Sequence, residues 1–305
     1  NQYFAVSVST GTIVQLTDDP QPGNACLSRK SNRMYYLSDG KIWDADIDSV
    51  LQSDAPKEPS AFRRKVADLP ENASLSGTIA LDSNEKDIYL GVQYTENSWG
   101  LLALDTHTGK YSKIIDTEFR IGHCQAHPAT SGLIMYCWET GGDSPQRMWI
   151  VDAKGQGNGP FYKETYDEWV THEVWWGPDK ALFTIWPKNE ERLKKPYGVA
   201  YVGMDDRSLH ILDQRKYWHV GASPDGKWAV GDTFDGELYL INGDTRRARL
   251  LTQGHRPRGT AVHPHPSFSP DGSSVLFCSQ KNGNWDLFLV QIASDKNDTH
   301  EGAKP

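Results

Sequence analysis

SPDGKWAVGD at Ser223–Asp232 and SPDGSSVLFC at Ser269–Cys278 are one pattern written twice, 46 residues apart. Each opens on a Ser-Pro-Asp-Gly turn and runs straight into a short apolar stretch of strand composition. A third copy, GPDKALFTIW, stands at Gly177–Trp186, and looser copies stand at Ser28–Leu37, Asp82–Gly91 and Pro128–Cys137. Anchored at their turns (Ser31, Asn84, Thr130, Asp179, Asp225 and Asp271), the copies follow at intervals of 53, 46, 49, 46 and 46 residues.

Behind each turn comes a second recurring segment, alternating and closed by another turn: LLALDTHTGK, MWIVDAKGQG, VAYVGMDDRS, LYLINGDTRR and LFLVQIASDK. The strand after it often reads like ARLLT at Ala248–Thr252. Period-two alternation bounded by Gly, Asp, Asn and Ser marks strands and hairpins, and no stretch keeps a long helical period. Four short strands per unit, repeated at about 40 to 50 residues, predict a β-propeller. Two β-sandwiches would not give so even a period. Six full units are expected, and FAVSVSTGTIVQLT at Phe4–Thr17 reads as the last two strands of another. The expected fold is therefore all-β: a seven-bladed β-propeller of four-stranded antiparallel blades, forming a single domain over 1–305. Its first blade is incomplete in this chain, and since a partial blade leaves an open edge, either the C-terminal tail is expected to complete it or about half a blade ahead of residue 1 is expected to be absent.

The 305 residues are 37% hydrophobic and 24% charged, an ordinary globular balance, with a net charge of −8. No run of Lys or Arg forms a nucleic-acid patch, so no nucleic-acid partner is expected. No apolar run is long enough for a membrane-spanning helix, so no membrane partner is expected either. The 11 Trp and 13 Tyr suit packing between sheets and also suit sugar clefts, where a flat ring covers a pyranose face. Cys26, Cys124, Cys137 and Cys278 form no CxxC pair and read as mostly buried thiols. Neither an acid pair nor a nucleophile elbow points to a hydrolase.

In a propeller the innermost strand of each blade lines the channel, so residues just ahead of each turn share one level. At that level stand His123 and His127 in IGHCQAHP, His172 in VTHEVWWGPD, His219 in YWHVGASPD, and His263 with His265 in VHPHPSFSPD. One such histidine alone is most often a hydrogen-bonded structural residue, and Pro264 and Pro266 could simply stiffen an entry loop. Six of the ten histidines at one level argue for a site. His263, His265 and His172 could offer three imidazoles to one cation, a donor set that suits Mn, Zn, Fe or Ni. Few basic residues lie near. Arg147 in SPQRMWIVD starts a strand whose register Met148 and Trp149 fix, while Arg256 and Arg258 precede the paired histidines. Arginine grips carboxylates in bidentate fashion.

At these residues the chain resembles the oligogalacturonate lyases, a polysaccharide lyase family. The resemblance is carried by GHCQAHP, MYCWE, QRMWIVD, EWVTHEVWW, HVGASPDGKWAVGD and above all HPHPSFSPDG, and covers most of the chain. It implies a seven-bladed propeller that cleaves a 4-linked uronic acid by β-elimination, with an acidic oligosaccharide as substrate. It further implies that His172, His263 and His265 bind a divalent metal, manganese first, with calcium or zinc as alternatives. Thr260 stands where the family carries a glutamine as fourth ligand. His123 becomes the first candidate for base or acid. His219 is expected to orient substrate or donate to the leaving oxygen, and Arg147 is held as a catalytic candidate. His127, Arg258 and Tyr94 are expected to touch substrate, with Tyr94 a second candidate base. Rhamnogalacturonan, glucuronate-capped and ulvan-type oligosaccharides are substrate variants, and a non-catalytic binding propeller is the competing reading. The resemblance implies the cytoplasm, with a periplasmic or secreted location as the alternative.

Overall fold

The Ser-Pro-Asp-Gly turns close on themselves. Ser223 Oγ donates to Asp225 Oδ1 (2.6 Å) and accepts the Trp228 N–H (2.8 Å), while Asp225 Oδ1 also accepts the Lys227 N–H. Ser269, Asp271, Ser273 and Ser274 repeat the arrangement at the next turn. Those bonds hold the Asp271 carboxyl at about 2, well below the usual carboxylate range. The fourth residue must take a left-handed backbone, and Gly226 (φ +70°) supplies it without a Cβ penalty.

Each turn joins the first and second strands of a sheet. The computed structural model describes residues 2–52, 58–188, 196–255 and 263–292, which fall into two compact units dividing after Glu164. In the first unit, β1 (Phe4–Val6) and β2 (Ile13–Gln15) pair as a two-stranded sheet. Then come β3 (Gly23–Leu27), β4 (Arg33–Ser38), β5 (Lys41–Asp46) and β6 (Arg63–Asp68), with a short helix, α1 (Ile47–Leu51), and a 3-10 turn at Pro59–Phe62 before β6. The next sheet holds β7 (Ser74–Leu81), β8 (Asp87–Thr95), β9 (Ser98–Asp105) and β10 (Tyr111–Thr117). The last of this unit holds β11 (Ile121–Ala126), β12 (Leu133–Trp138), β13 (Met148–Asp152) and β14 (Gly159–Pro160).

The second unit repeats the plan with β15 (Glu168–Trp176), β16 (Lys180–Pro187), β17 (Gly198–Gly203) and β18 (Leu209–Asp213). β19 (Tyr217–Ala222), β20 (Trp228–Thr233), β21 (Leu238–Asn242) and β22 (Ala248–Thr252) form the next sheet. β23 (Ser267–Phe268), β24 (Ser274–Ser279) and β25 (Asp286–Gln291) form the last, three-stranded among the described residues. Every sheet is an antiparallel meander with sequential neighbours paired. Among the described residues the seven sheets match the expected number of blades, with the N-terminal one reduced to two strands and the last to three where six full units were expected.

Second strands are buried on both faces, which is why they read as unbroken apolar runs. Ile88–Val92, Ile134–Cys137 and Ala181–Ile185 are all buried. The cores lie between successive sheets. Leu90, Val92, Leu102 and Leu104 pack with Tyr35 and Ile42 in the first unit, and Trp176, Leu182 and Val199 pack with Tyr217, Ala229 and Ile241 in the second. Of the thiols, Cys124 and Cys137 are buried and Cys26 and Cys278 half-buried, and none is in a disulfide.

Candidate functional site

The first strands carry bulges, and the bulges carry the site. Pairing slips by a residue or more between Gly122 and Gln125, between Thr171 and Val174, and between Tyr217 and Val220. His123, His172 and the Trp218–His219 pair occupy those bulges, where a side chain is re-aimed and the ladder locally gives way. His123 (φ 27°), His172 (φ 56°) and His265 (φ 49°) adopt left-handed backbone, uncommon outside glycine though histidine enters it more often than most residues.

In the second unit these devices bring four imidazoles together. His219 is the hub. Its ring centroid lies 4.4 Å from His172, 5.4 Å from His263 and 3.3 Å from His265, the last in a stacked pair. His172 and His265 are 6.5 Å apart. Asp232, on β20 and fully buried, accepts the His219 backbone N–H (2.6 Å), and its Oδ2 lies 3.0 Å from His219 Nδ1. A carboxylate at Nδ1 places the ring proton there and turns Nε2 into the free electron pair. Ligand atoms of His219, Asp232 and His263 all lie within 4.8 Å of one another. His265 keeps an exposed edge, yet burial of its ring, reinforced by His219, pushes its pKa down to about 4. It therefore stays neutral, the state in which an imidazole binds a metal. Nitrogen donors with one buried carboxylate fit a divalent transition metal better than calcium, which favours an all-oxygen shell.

An aromatic wall backs the cluster. Trp218 lies 4.9 Å from His172 and 5.8 Å from His263, and Trp169, Trp186 and Phe234 pack round it.

His123 and Arg147 meet within the first unit. Arg147, 3% exposed at the foot of β13, places Nη2 3.1 Å from His123 Nδ1 and Nη1 3.4 Å from Glu139 Oε2. Its backbone N–H donates to the Glu164 carboxylate. Guanidinium has only donors, so His123 Nδ1 is the acceptor and the ring proton sits on Nε2. Glu139 Oε2 lies 3.9 Å from that Nε2.

Two expected substrate contacts are not of that kind. His127 is 1% exposed, and its Nδ1 accepts the N–H groups of Ala129 and Thr130, so it holds a turn. Tyr94 packs into the core between the first two four-stranded sheets, its hydroxyl over Gly100 where a Cβ would lie 2.7 Å away. Burial raises its pKa, and Asp116 on the outermost strand raises it further while Lys113 lowers it. Arg258 and Thr260 lie outside the described residues. Asp232 and Glu139 were not anticipated. The available signal for Asp232 was a carboxylate inside an otherwise apolar second strand, WAVGDT.

No family model matches the chain. An oligogalacturonide lyase of Pectobacterium atrosepticum is 24% identical over 65% of this chain, and the match spans 57% of that relative. An oligogalacturonate lyase of Dickeya dadantii is 24% identical over 95% of this chain and 83% of its own length. At this low identity the chain is similar to oligogalacturonate lyases. A solved oligogalacturonate lyase in complex with manganese superposes with a TM-score of 0.83 at 20% identity, covering 96% of this chain and 83% of that one. That likeness shows an oligogalacturonate lyase propeller fold. Among the described residues no helix is long and apolar enough to cross a membrane.

Proposed function

We propose that the chain is a metal-dependent lyase cleaving a 4-linked uronic acid in an oligosaccharide by β-elimination, to a 4,5-unsaturated product. The observation that supports it is the cluster of His172, His219, His263 and His265 around one point, with Asp232 behind. The similarity to oligogalacturonate lyases, one of them described as a manganese complex, supports the same reading. His172, His263 and His265, the expected ligands, would hold the cation together with His219, which lies among them. A bound divalent cation neutralises the uronate carboxylate and makes the neighbouring C5 proton more acidic.

The remaining work falls to side chains. Asp232 fixes the His219 tautomer and its aim. Arg147 does the same for His123 by donating to Nδ1, which leaves Nε2–H to hydrogen-bond the departing sugar oxygen while water takes the C5 proton and returns one to that oxygen. Its burial makes Arg147 a positioning group and not a clamp on the substrate carboxylate. Oligogalacturonate is the reference substrate, with other uronate-containing glycans as variants. Manganese plus oligogalacturonate or a related fragment should produce the ultraviolet absorbance of the conjugated product. His123→Ala should lower kcat about a hundredfold or more with metal content unchanged. Full activity in His263→Ala, or no product from any uronate tested, would sink the proposal.

A further inference from the structure

Beside the imidazole cluster lies a cleft of 590 Å³, a volume typical of small-molecule sites, walled by Trp186, Phe234, Arg215, Lys216, Asp235 and Glu237. Phe234 belongs to both places. Its ring is 5.9 Å from His263 and stands edge-on to Trp186 at 5.0 Å. A sugar chain anchored at the imidazoles therefore has the cleft as its next station. Trp186 and Phe234 offer flat apolar surface of the kind that covers the C–H face of a pyranose.

Charge decides which sugar. Two basic side chains on the wall are matched by two acidic ones. Arg215, moreover, is already ion-paired with Asp213 and lies over the Tyr239 ring at 4.4 Å. Counted with Asp213, the surroundings carry one more acid than base. A uronate carboxylate entering here would meet Asp235 and Glu237 against Lys216 alone, Arg215 being engaged by Asp213, a balance of charge that selects against it. The hydroxyls of an uncharged sugar would instead donate to those two carboxylates.

We propose that this cleft is a subsite for a neutral pyranose joined to the uronate, so that the preferred substrate is a mixed chain in which uronic acid and neutral sugar adjoin. The proposal rests on the lyase reading only for the uronate's place at the imidazoles.

The test is calorimetric binding to the full chain at low temperature with one equivalent of manganese, so that the uronate keeps its cation and cleavage is slow. The ligands are a tetrasaccharide of alternating galacturonate and rhamnose, and tetragalacturonate. The mixed chain should bind about tenfold tighter, and the Asp235→Asn/Glu237→Gln variant should narrow that ratio by relieving the repulsion. Equal or tighter binding of tetragalacturonate by the native chain, no binding of either, or an unchanged ratio in the variant overturns the subsite. The two readings fail separately. Tight binding of the mixed chain with no unsaturated product on warming removes the lyase and leaves the subsite. Tighter binding and ready cleavage of tetragalacturonate do the reverse.

Discussion

Asn24, Gly77, His123 and His172 hold corresponding places on the first strands of four consecutive sheets, at φ 44°, 76°, 27° and 56°. Asparagine and glycine tolerate that backbone, whereas histidine there costs about 1–2 kcal/mol. Strain of this kind persists where the surrounding fold over-determines it, commonly at functional sites. His172→Gly should therefore be more stable than His172→Ala by about 1 kcal/mol in chemical denaturation, since alanine keeps the strain and glycine releases it. Equal stability would show that the backbone there is relaxed. Asp232→Asn should keep the fold while weakening metal affinity about tenfold or more, because the carboxylate that sets the His219 tautomer is gone. Titration of manganese into both proteins checks this. The histidines were legible because the repeat placed them at one level. Their bulges were not, since a histidine inside a strand pattern gives no sign of a positive φ. The clue lay in Asn24 and Gly77, the residue types that such a position favours.

Turns and second strands account for how the elements hold together, and both were visible in the sequence as SPDG followed by an apolar run. Their internal hydrogen bonds make a specific demand. Ser223 is 2% exposed, donates to Asp225 and accepts from Trp228. Ser223→Ala leaves the Trp228 N–H without that acceptor and should cost about 1–3 kcal/mol in denaturant unfolding. An unchanged midpoint would mean that the turn is held by its backbone alone. His127 and Tyr94, both expected against substrate, make their described contacts at this scale. Both side chains turn into their own elements, one to close a turn and one to cover Gly100. Sequence spacing gives the level of a residue along a strand but not which neighbour its ring packs on.

Across the whole molecule, acid should destabilise the fold through its histidines. Burial lowers the pKa of His255, which sits between Thr252 and Ser279, and His265 is pushed down to about 4. Both begin from 6.5 in the unfolded chain, so below that pH the unfolded state binds more protons and stability falls. The decline should run from pH 6.5 towards 4. Denaturation midpoints at pH 7.5 and 5 measure it, and a higher midpoint at pH 5 would contradict it. The repeat made the propeller readable because every blade solves the same packing problem with the same turn. The site was less readable because it is built from differences between blades, and those depend on bulges, a buried Asp232 and a buried Arg147.

The central claim is that His219 is the hub of a divalent metal centre. Metal content of the purified chain after incubation with manganese and removal of excess tests it most directly. The account predicts one manganese per chain in the native protein and loss of it in both His219→Ala and His263→Ala, each still folded by circular dichroism. Absence of bound manganese in the native chain, or its full retention in either variant, would contradict it.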